Sequence, residues 1–360
     1  MANLYVTSSE TFSGKSALCI GLGKRFQQDG LVIGYMKPVN TLAQSKDGAP
    51  FDADVEFAKQ TFNLPESVDI LAPVAITAQE ATNILKGEST TDYEARLLAA
   101  CGQVCQGRDV TILEGGYSLR EGYIVGLRST HVASLLHAKV ITVARYEERM
   151  VVDQILTAQL RMGDRLIGAV INAVPRQRME YVQTVLKPFL EAKGVAVFGC
   201  LPRERLLQAV SIGELVDGLD AQVLCCSDRM DDLVEHLMVG AMTVDSALSY
   251  FRRRPNKAVI TGGDRSDIHL AALETSTRCL ILTGNLHPSP LILDRAEEAN
   301  VPILLSRHDT LAAVEIVERF FGRSRFQQAK KIDRFSQILD ERFDFARLYE
   351  AIGVSPKRPS

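Results

Sequence analysis

Val6-Thr7-Ser8-Ser9-Glu10-Thr11-Phe12-Ser13-Gly14-Lys15-Ser16 is the stretch on which the reading of this chain turns. It grows out of the apolar run Leu4-Tyr5-Val6 and leads into Ala17, Leu18, Ile20, Leu22 and Phe26, which recur at helical spacing. A strand, a tight loop and a helix start carrying Gly-Lys-Ser describe a phosphate-binding loop (P-loop). In such a loop backbone N–H groups and a helix N-terminus converge on phosphate oxygens, the lysine reaches the β- and γ-phosphates, and the hydroxyl reaches Mg²⁺. Lys15 and Ser16 suit those two roles. Ser9 stands where the first glycine of G-x-x-x-x-G-K-[ST] belongs, at a backbone cost if its φ must be positive. The plainer alternative is an ordinary strand-turn-helix with a capping serine.

Working outward, Leu31-Val32-Ile33-Gly34-Tyr35 is a second apolar strand that delivers Lys37-Pro38-Val39 at its carboxyl end, the end at which open α/β sheets bind ligands. Lys37 there could stabilise charge on a transferring phosphoryl group, or could simply be solvated in a turn set by Pro38. The polar loop Asp47-Gly48-Ala49-Pro50-Phe51-Asp52-Ala53-Asp54 offers two carboxylates, of which Asp54 or Asp52 could hold Mg²⁺ or cap a helix. Residues 60–107 carry helical periodicity without a chemical motif. The buried run Asp109-Val110-Thr111-Ile112-Leu113 then ends in Glu114-Gly115-Gly116, a carboxylate placed for a metal with glycines that let backbone approach phosphates. Strands follow at Lys139–Ala144, Leu166–Ile171 and Val195–Phe198. Asn172, at the end of one of them, could read an adenine edge or punctuate the turn before Pro175. Strands alternating with helices predict an α/β fold: a parallel sheet with helices on both faces.

Composition narrows the functional classes. A chain of 360 residues has room for two domains and a sizeable core. A formal net charge of −3, with Arg252-Arg253-Arg254 as the one dense basic run, leaves no footprint for nucleic acid. Seven scattered cysteines, two of them adjacent at Cys225-Cys226, fit neither a disulfide framework nor a zinc site, and predict a cytoplasmic setting. No apolar run approaches a membrane span, so no membrane partner is expected.

Together these residues resemble the dethiobiotin synthetase type of P-loop fold. The set comprises Val6-Thr7, Glu10-Thr11, Gly14-Lys15-Ser16, Gly34-Tyr35, Lys37-Pro38-Val39, Asp54, Glu114-Gly115, Asn172, Val174 and Gly199 with Pro202. The resemblance implies ATP and Mg²⁺ as cofactors. Lys15 and Lys37 would be the catalytic cations at the phosphates. Glu10, Thr11, Ser13, Gly14, Lys15, Ser16, Gly115 and Asn172 would line the nucleotide, with Asn172 at adenine, and Ser16, Asp54 and Glu114 would surround the metal. Departures fall on the amino-acid substrate side, where the chain reads Asn40-Thr41-Leu42 and Glu114-Gly115-Gly116-Tyr117, so dethiobiotin is not the expected product. Glu10 stands where related ATPases that dimerise across the nucleotide carry a second lysine, so no intersubunit lysine mechanism is expected.

From about Ser211 the pattern restarts, with strands at Val223–Cys226, Ala258–Thr261, Cys279–Thr283 and Pro302–Leu305, and a helix through Leu233 and Leu237. Gly262-Gly263 could hold an anion, or serve a tight turn before a helix capped by Asp264 or Ser266. The turn Asp264-Arg265 and the later Thr283-Gly284 resemble the DRTGG domain, and the two domains in this order resemble the N-terminal half of long phosphotransacetylases. The expected organisation is a P-loop domain over 1–210, a smaller α/β DRTGG-like domain over 211–325 and a charged helical tail over 326–360. That arrangement implies a nucleotide-responsive regulator with slow ATPase activity at most, acting as a homo-oligomer (dimer) or on a separate metabolic enzyme. An ATP-dependent ligase of the dethiobiotin synthetase or cobyrinate amidase type, acting on a small carboxylate or amine, is the rival.

Overall fold

The computed structural model describes residues 1–46, 48–321 and 326–357. Asp47, the expected 325/326 boundary and the terminal Arg358-Pro359-Ser360 lie outside the described residues. The chain forms two compact units, one of Met1–Arg203 with Ala329–Ser360 and one of Glu204–Gln328.

The first unit is built on a six-stranded sheet of β1 (Ala2–Thr7), β2 (Ile33–Met36), β3 (Val110–Glu114), β4 (Lys139–Arg145), β5 (Leu166–Val174) and β6 (Val197–Pro202). Their spatial order is β6-β5-β4-β1-β3-β2, and every pairing is parallel. The central strands read as near-continuous Val, Ile and Leu because both faces are covered by helices. Helices α1 (Lys15–Gln28), α2 (Ala53–Phe62), α3 (Tyr93–Cys105) and α4 (Val151–Met162) belong to this unit. Three of them begin on a signal legible in the sequence: Gly14 opens α1, Asp52 caps α2 through the backbone N–H groups of Asp54 and Val55, and Asp92 caps α3.

The second unit holds β7 (Gln222–Val223), β8 (His236–Val239), β9 (Lys257–Gly262), β10 (Thr277–Thr283) and β11 (Ile303–Leu305), in the order β7-β11-β10-β9-β8. β8 to β11 are parallel and β7 closes the edge antiparallel. Strand alternation divides its core. Ala258, Ile260, Cys279, Ile281 and Leu304 face one helical layer, formed by α5 (Ile212–Leu219) and a later helix, while Val259, Leu280, Leu282, Ile303 and Leu305 face the other. The second layer contains α6 (Val244–Phe251), α7 (Ser266–Leu273) and α8 (Pro290–Ala299); α9 (Thr310–Phe320) joins α5. The helix expected through Leu233 and Leu237 is not formed. Leu233–Val234 pairs with Val210–Ser211, and His236–Val239 is strand β8 beside β9. The four-residue interval between two leucines imitates a helical repeat, but tertiary pairing decides so short a segment.

The segment expected as a charged helical tail forms α10 (Ala329–Arg342) and α11 (Phe345–Ile352), which group with the first unit. Ile332, Phe335, Ile338, Leu339, Leu348 and Ile352 are buried, each such side chain worth roughly 1.5–3 kcal/mol when withdrawn from water. A Cβ at Gly21 of α1 would strike Leu339, so that glycine is where α10 lies closest. Arg25 bonds Asp340 at 3.0 Å and covers the Phe345 ring, and Lys357 pairs with Asp109 at 2.6 Å. Of the charged residues on α10, Lys330, Asp333, Asp340, Glu341 and Arg342 are exposed, whereas Lys331 is buried.

Candidate functional site

At the carboxyl end of β1 the chain turns through residues 8–14 into α1. The turn is made by left-handed backbone at Phe12 (φ 54°) and Gly14 (φ 99°). Ser9 is not in the left-handed region, so the missing first glycine brings no strain there. Gly14 has a second constraint, since a Cβ on it would collide with the Asn172 side chain. Asn172 Nδ2 donates to the Ser13 carbonyl at 2.8 Å, and its Oδ1 accepts from Ala173 N–H. The end of β5 thus holds the loop. Glu10 is held from the other side, accepting from Arg145 N–H at 3.2 Å and from Gln154 Nε2 at 3.3 Å. Thr11 is exposed on the crest of the loop, and Ser13 is buried with no partner for its hydroxyl.

Behind the loop, Ser16 Oγ donates to Glu114 Oε1 at 2.6 Å and Tyr35 OH donates to Glu114 Oε2 at 2.8 Å. Glu114 is buried at the end of β3, and burial raises its carboxyl above the ordinary range against the pull of Lys37. Gly115 has a packing reason of its own. Its N–H bonds the Val6 carbonyl at 2.8 Å, and a Cβ would lie 2.9 Å from that oxygen.

The two lysines sit in different electrostatic settings. Lys15 is buried, its one hydrogen bond among the described residues being the long contact from Nζ to Ser8 Oγ at 3.3 Å, and burial lowers its pKa with only partial compensation from Glu114. Lys37 is equally buried but lies 2.7 Å from Asp52 and 3.6 Å from Asp54. Burial pulls its pKa down, and Asp52, Glu114 and Asp54 together outweigh burial and hold it above the ordinary lysine range. Asp52 also accepts from Asn40 Nδ2 at 2.6 Å, so the stronger partner of Lys37 is itself fixed. Asp54 is half-exposed.

Lys15, Ser16, Lys37, Asp54, Glu114 and Gly115 therefore converge at one end of the sheet, with Glu10, Ser13, Gly14 and Asn172 around the loop. Reading the sequence missed Tyr35 as a partner of Glu114. Its signal was a tyrosine two residues before Lys37 in an otherwise aliphatic strand.

Residues 2–211 match the AAA domain family and residues 214–320 match the DRTGG domain family. The chain belongs to the AAA domain family. Its P-loop domain is followed by a DRTGG domain, the order found at the N-terminal end of phosphate acetyltransferases. It is similar to the phosphate acetyltransferase of Synechocystis sp., 24% identical over 99% of this chain and 53% of that protein. It is also 24% identical to the Nitratidesulfovibrio vulgaris phosphate acetyltransferase, over 96% of this chain and 51% of that one. The chain spans about half the length of these curated relatives. Among solved structures, a cobyrinic acid a,c-diamide synthase from Mycobacterium smegmatis with bound ADP and magnesium is 16% identical, covering 57% of this chain and 88% of that one at a TM-score of 0.38. The CBS and DRTGG domains of a Clostridium perfringens pyrophosphatase, complexed with diadenosine tetraphosphate, are 18% identical, covering 43% and 74% at a TM-score of 0.29. Among the described residues no helix is long and apolar enough to cross a membrane.

Proposed function

We propose that the first unit binds ATP with Mg²⁺ and that the protein is a nucleotide-responsive regulator of the phosphotransacetylase N-terminal type, with slow ATP hydrolysis at most. The observation that carries this reading is a buried lysine, Lys15, with no carboxylate partner among the described residues, next to a hydroxyl and carboxylate already brought to 2.6 Å, Ser16 and Glu114. An ammonium withdrawn from water and met only by a serine hydroxyl is costly unless an anion completes it. Ser13, buried with an unpartnered hydroxyl, marks the same loop as unfinished without a ligand. Lys15 and the loop N–H groups would hold the phosphates, while Ser16 and Glu114, joined by Asp54 on turning inward, would hold the metal. The metal would neutralise phosphate charge when bound. Lys37, closed by Asp52, would reach a phosphate only by exchanging that partner.

This disposition weighs against the ligase reading, because the second cation is spent within the chain. Regulation then requires that nucleotide on the first unit alter the second, a reciprocal coupling free energy. Its expected route is the connection from Arg203 to Asp220, its expected assembly a dimer, and its expected recipient a separate metabolic enzyme. Titration calorimetry with ATP and ADP, with and without Mg²⁺, tests the reading. Saturable binding that tightens with Mg²⁺ supports it, and absence of nucleotide binding overturns it. Hydrogen exchange over Gly262 to Ile268 tests the coupling, which fails if saturating ATP leaves that turn unchanged.

A further inference from the structure

The edge of the second sheet holds a cavity of about 230 Å³, lined by Asp220, Ala221, Gln222, Asn285, Leu305 and Arg307. Three segments meet there: the turn from α5 into β7, the turn after β10 and the exit from β11. The last two lie at the carboxyl ends of parallel strands, where open α/β sheets receive ligands. Backbone ties them together, with Asn285 N–H donating to the Ser306 carbonyl at 3.0 Å and Gly284 N–H to the His308 carbonyl at 2.8 Å. The third wall is set by Ala221 N–H on the Val216 carbonyl at 3.0 Å, which closes α5, and by the pairing of Gln222 with Leu305. The rim is thus fixed by main chain, and its polar side chains are left over. Among the described residues the side chains of Asp220, Gln222, Asn285 and Arg307 have no hydrogen-bond or ion-pair partner. Each is exposed, so any one of them alone would be ordinary; here opposite charges line one cavity without meeting. Asp220 and Asn285 hold left-handed backbone, at φ 46° and 55°. Glycine would suit either turn, and the chain carries a polar side chain at both.

We propose that this cavity binds a small zwitterionic amino acid, with its carboxylate on Arg307, its ammonium on Asp220, and the amides of Gln222 and Asn285 completing its hydrogen bonds. The charges select the class. The planar fork of an arginine takes a carboxylate through two parallel bonds. Asp220 directly follows the last turn of α5, whose carbonyl end carries partial negative charge, and both favour a cation. A phosphate would face Asp220 and a simple amine would face Arg307, whereas a molecule bearing both charges answers both. Size narrows the choice further. The cavity falls below the roughly 300–1,000 Å³ typical of pockets for drug-sized ligands, which leaves no room to enclose a nucleotide. Ala221 and Leu305 supply an apolar patch for a short side chain. The site lies wholly in the second unit and stands whether or not the first unit binds nucleotide.

The test is titration calorimetry on the full chain without nucleotide. The probes are glycine, L-alanine and L-serine, with acetate, ethylamine and inorganic phosphate as single-charge controls at matched ionic strength. Saturable binding of at least one amino acid is expected, tighter than that of any control. Arg307→Gln and Asp220→Asn should each weaken it about tenfold or more, since each removes one charge-assisted contact. Both positions are exposed, and asparagine tolerates the left-handed backbone at 220, so both variants should melt as the wild type does. Should either not fold, the other decides together with the wild type. No binding of any of the three amino acids overturns the proposal, as does acetate, ethylamine or phosphate binding as tightly as they do. Amino-acid binding that survives both substitutions overturns the assignment to this cavity. Because no nucleotide is present, failure of the nucleotide reading leaves each of these outcomes unchanged.

Discussion

The carboxyl ends of the two parallel sheets use polar residues in opposite ways. In the first unit Lys15, Lys37, Asp52 and Glu114 are all buried, and among the described residues Lys15 meets only a hydroxyl. In the second the corresponding turns bond mostly within the chain, although His269 Nδ1 is buried without a partner among the described residues. Arg265 pairs with Asp267 at 3.0 Å at the surface and donates to the Met242 carbonyl, His269 lies 2.9 Å from the Gly262 carbonyl, and Thr283 bonds Thr310 at 2.8 Å. A Cβ on Gly263 would strike the Leu286 backbone, so Gly262-Gly263 closes a turn and offers no cradle. Buried charge without a full set of partners is costly to maintain, and where it persists it points to a ligand. By that criterion the first sheet end is the stronger candidate site.

The contrast is broken most forcefully at the ion pairs. Asp52→Ala leaves Lys37 buried with only the longer contact to Asp54 and removes the cap of α2. We expect a loss of about 3–5 kcal/mol in denaturant unfolding, the cost of stranding one partner of a buried pair. Asp267→Ala, at the exposed pair of the second unit, should leave unfolding unchanged. Equal effects would mean that the two sheet ends do not differ in the way described.

A smaller effect sharpens the comparison from the second unit. Lys257 is fully buried at the foot of β9, donating to Thr275 Oγ1 at 2.8 Å and to the Ser276 carbonyl at 3.0 Å, and burial lowers its pKa to about 8 from the ordinary 10.5. Between those values the unfolded chain binds the proton and the folded one has released it. Stability should therefore rise with pH across about 8 to 10.5, by about 2–3 kcal/mol. Chemical denaturation followed by circular dichroism should show this rise in the wild type and lose it in Lys257→Met. Smaller again is the effect at Asn172. Removing its amide in Asn172→Ala costs the bond to Ser13, about 1 kcal/mol, and should weaken ATP and GTP binding alike. A selective loss for ATP would instead make Asn172 the reader of adenine.

Much of this was legible because local signals and tertiary demands agree. The apolar strands, the helix opened by Gly14-Lys15 and the acid ending β3 each carry their own physical mark. The reading failed where a short segment has no period of its own, as at Leu233–Val239, where pairing with β9 overrides leucine spacing. It gave the helix of the C-terminal segment but not its apolar stripe, since Phe335, Ile338 and Leu339 are set among charged residues in the sequence. The partner within the site was hidden for a different reason. Tyr35 and Glu114 are 79 residues apart in sequence, and only the fold brings them together.

The most direct test is calorimetric titration of ATP with Mg²⁺ into wild type, Lys15→Ala and Arg265→Ala. Completion of Lys15 by phosphate predicts saturable binding in the wild type, at least a hundredfold loss, or about 2.7 kcal/mol, in Lys15→Ala, and no change in Arg265→Ala. Unchanged affinity in Lys15→Ala, or a loss confined to Arg265→Ala, would contradict the assignment of the ligand site to the first sheet.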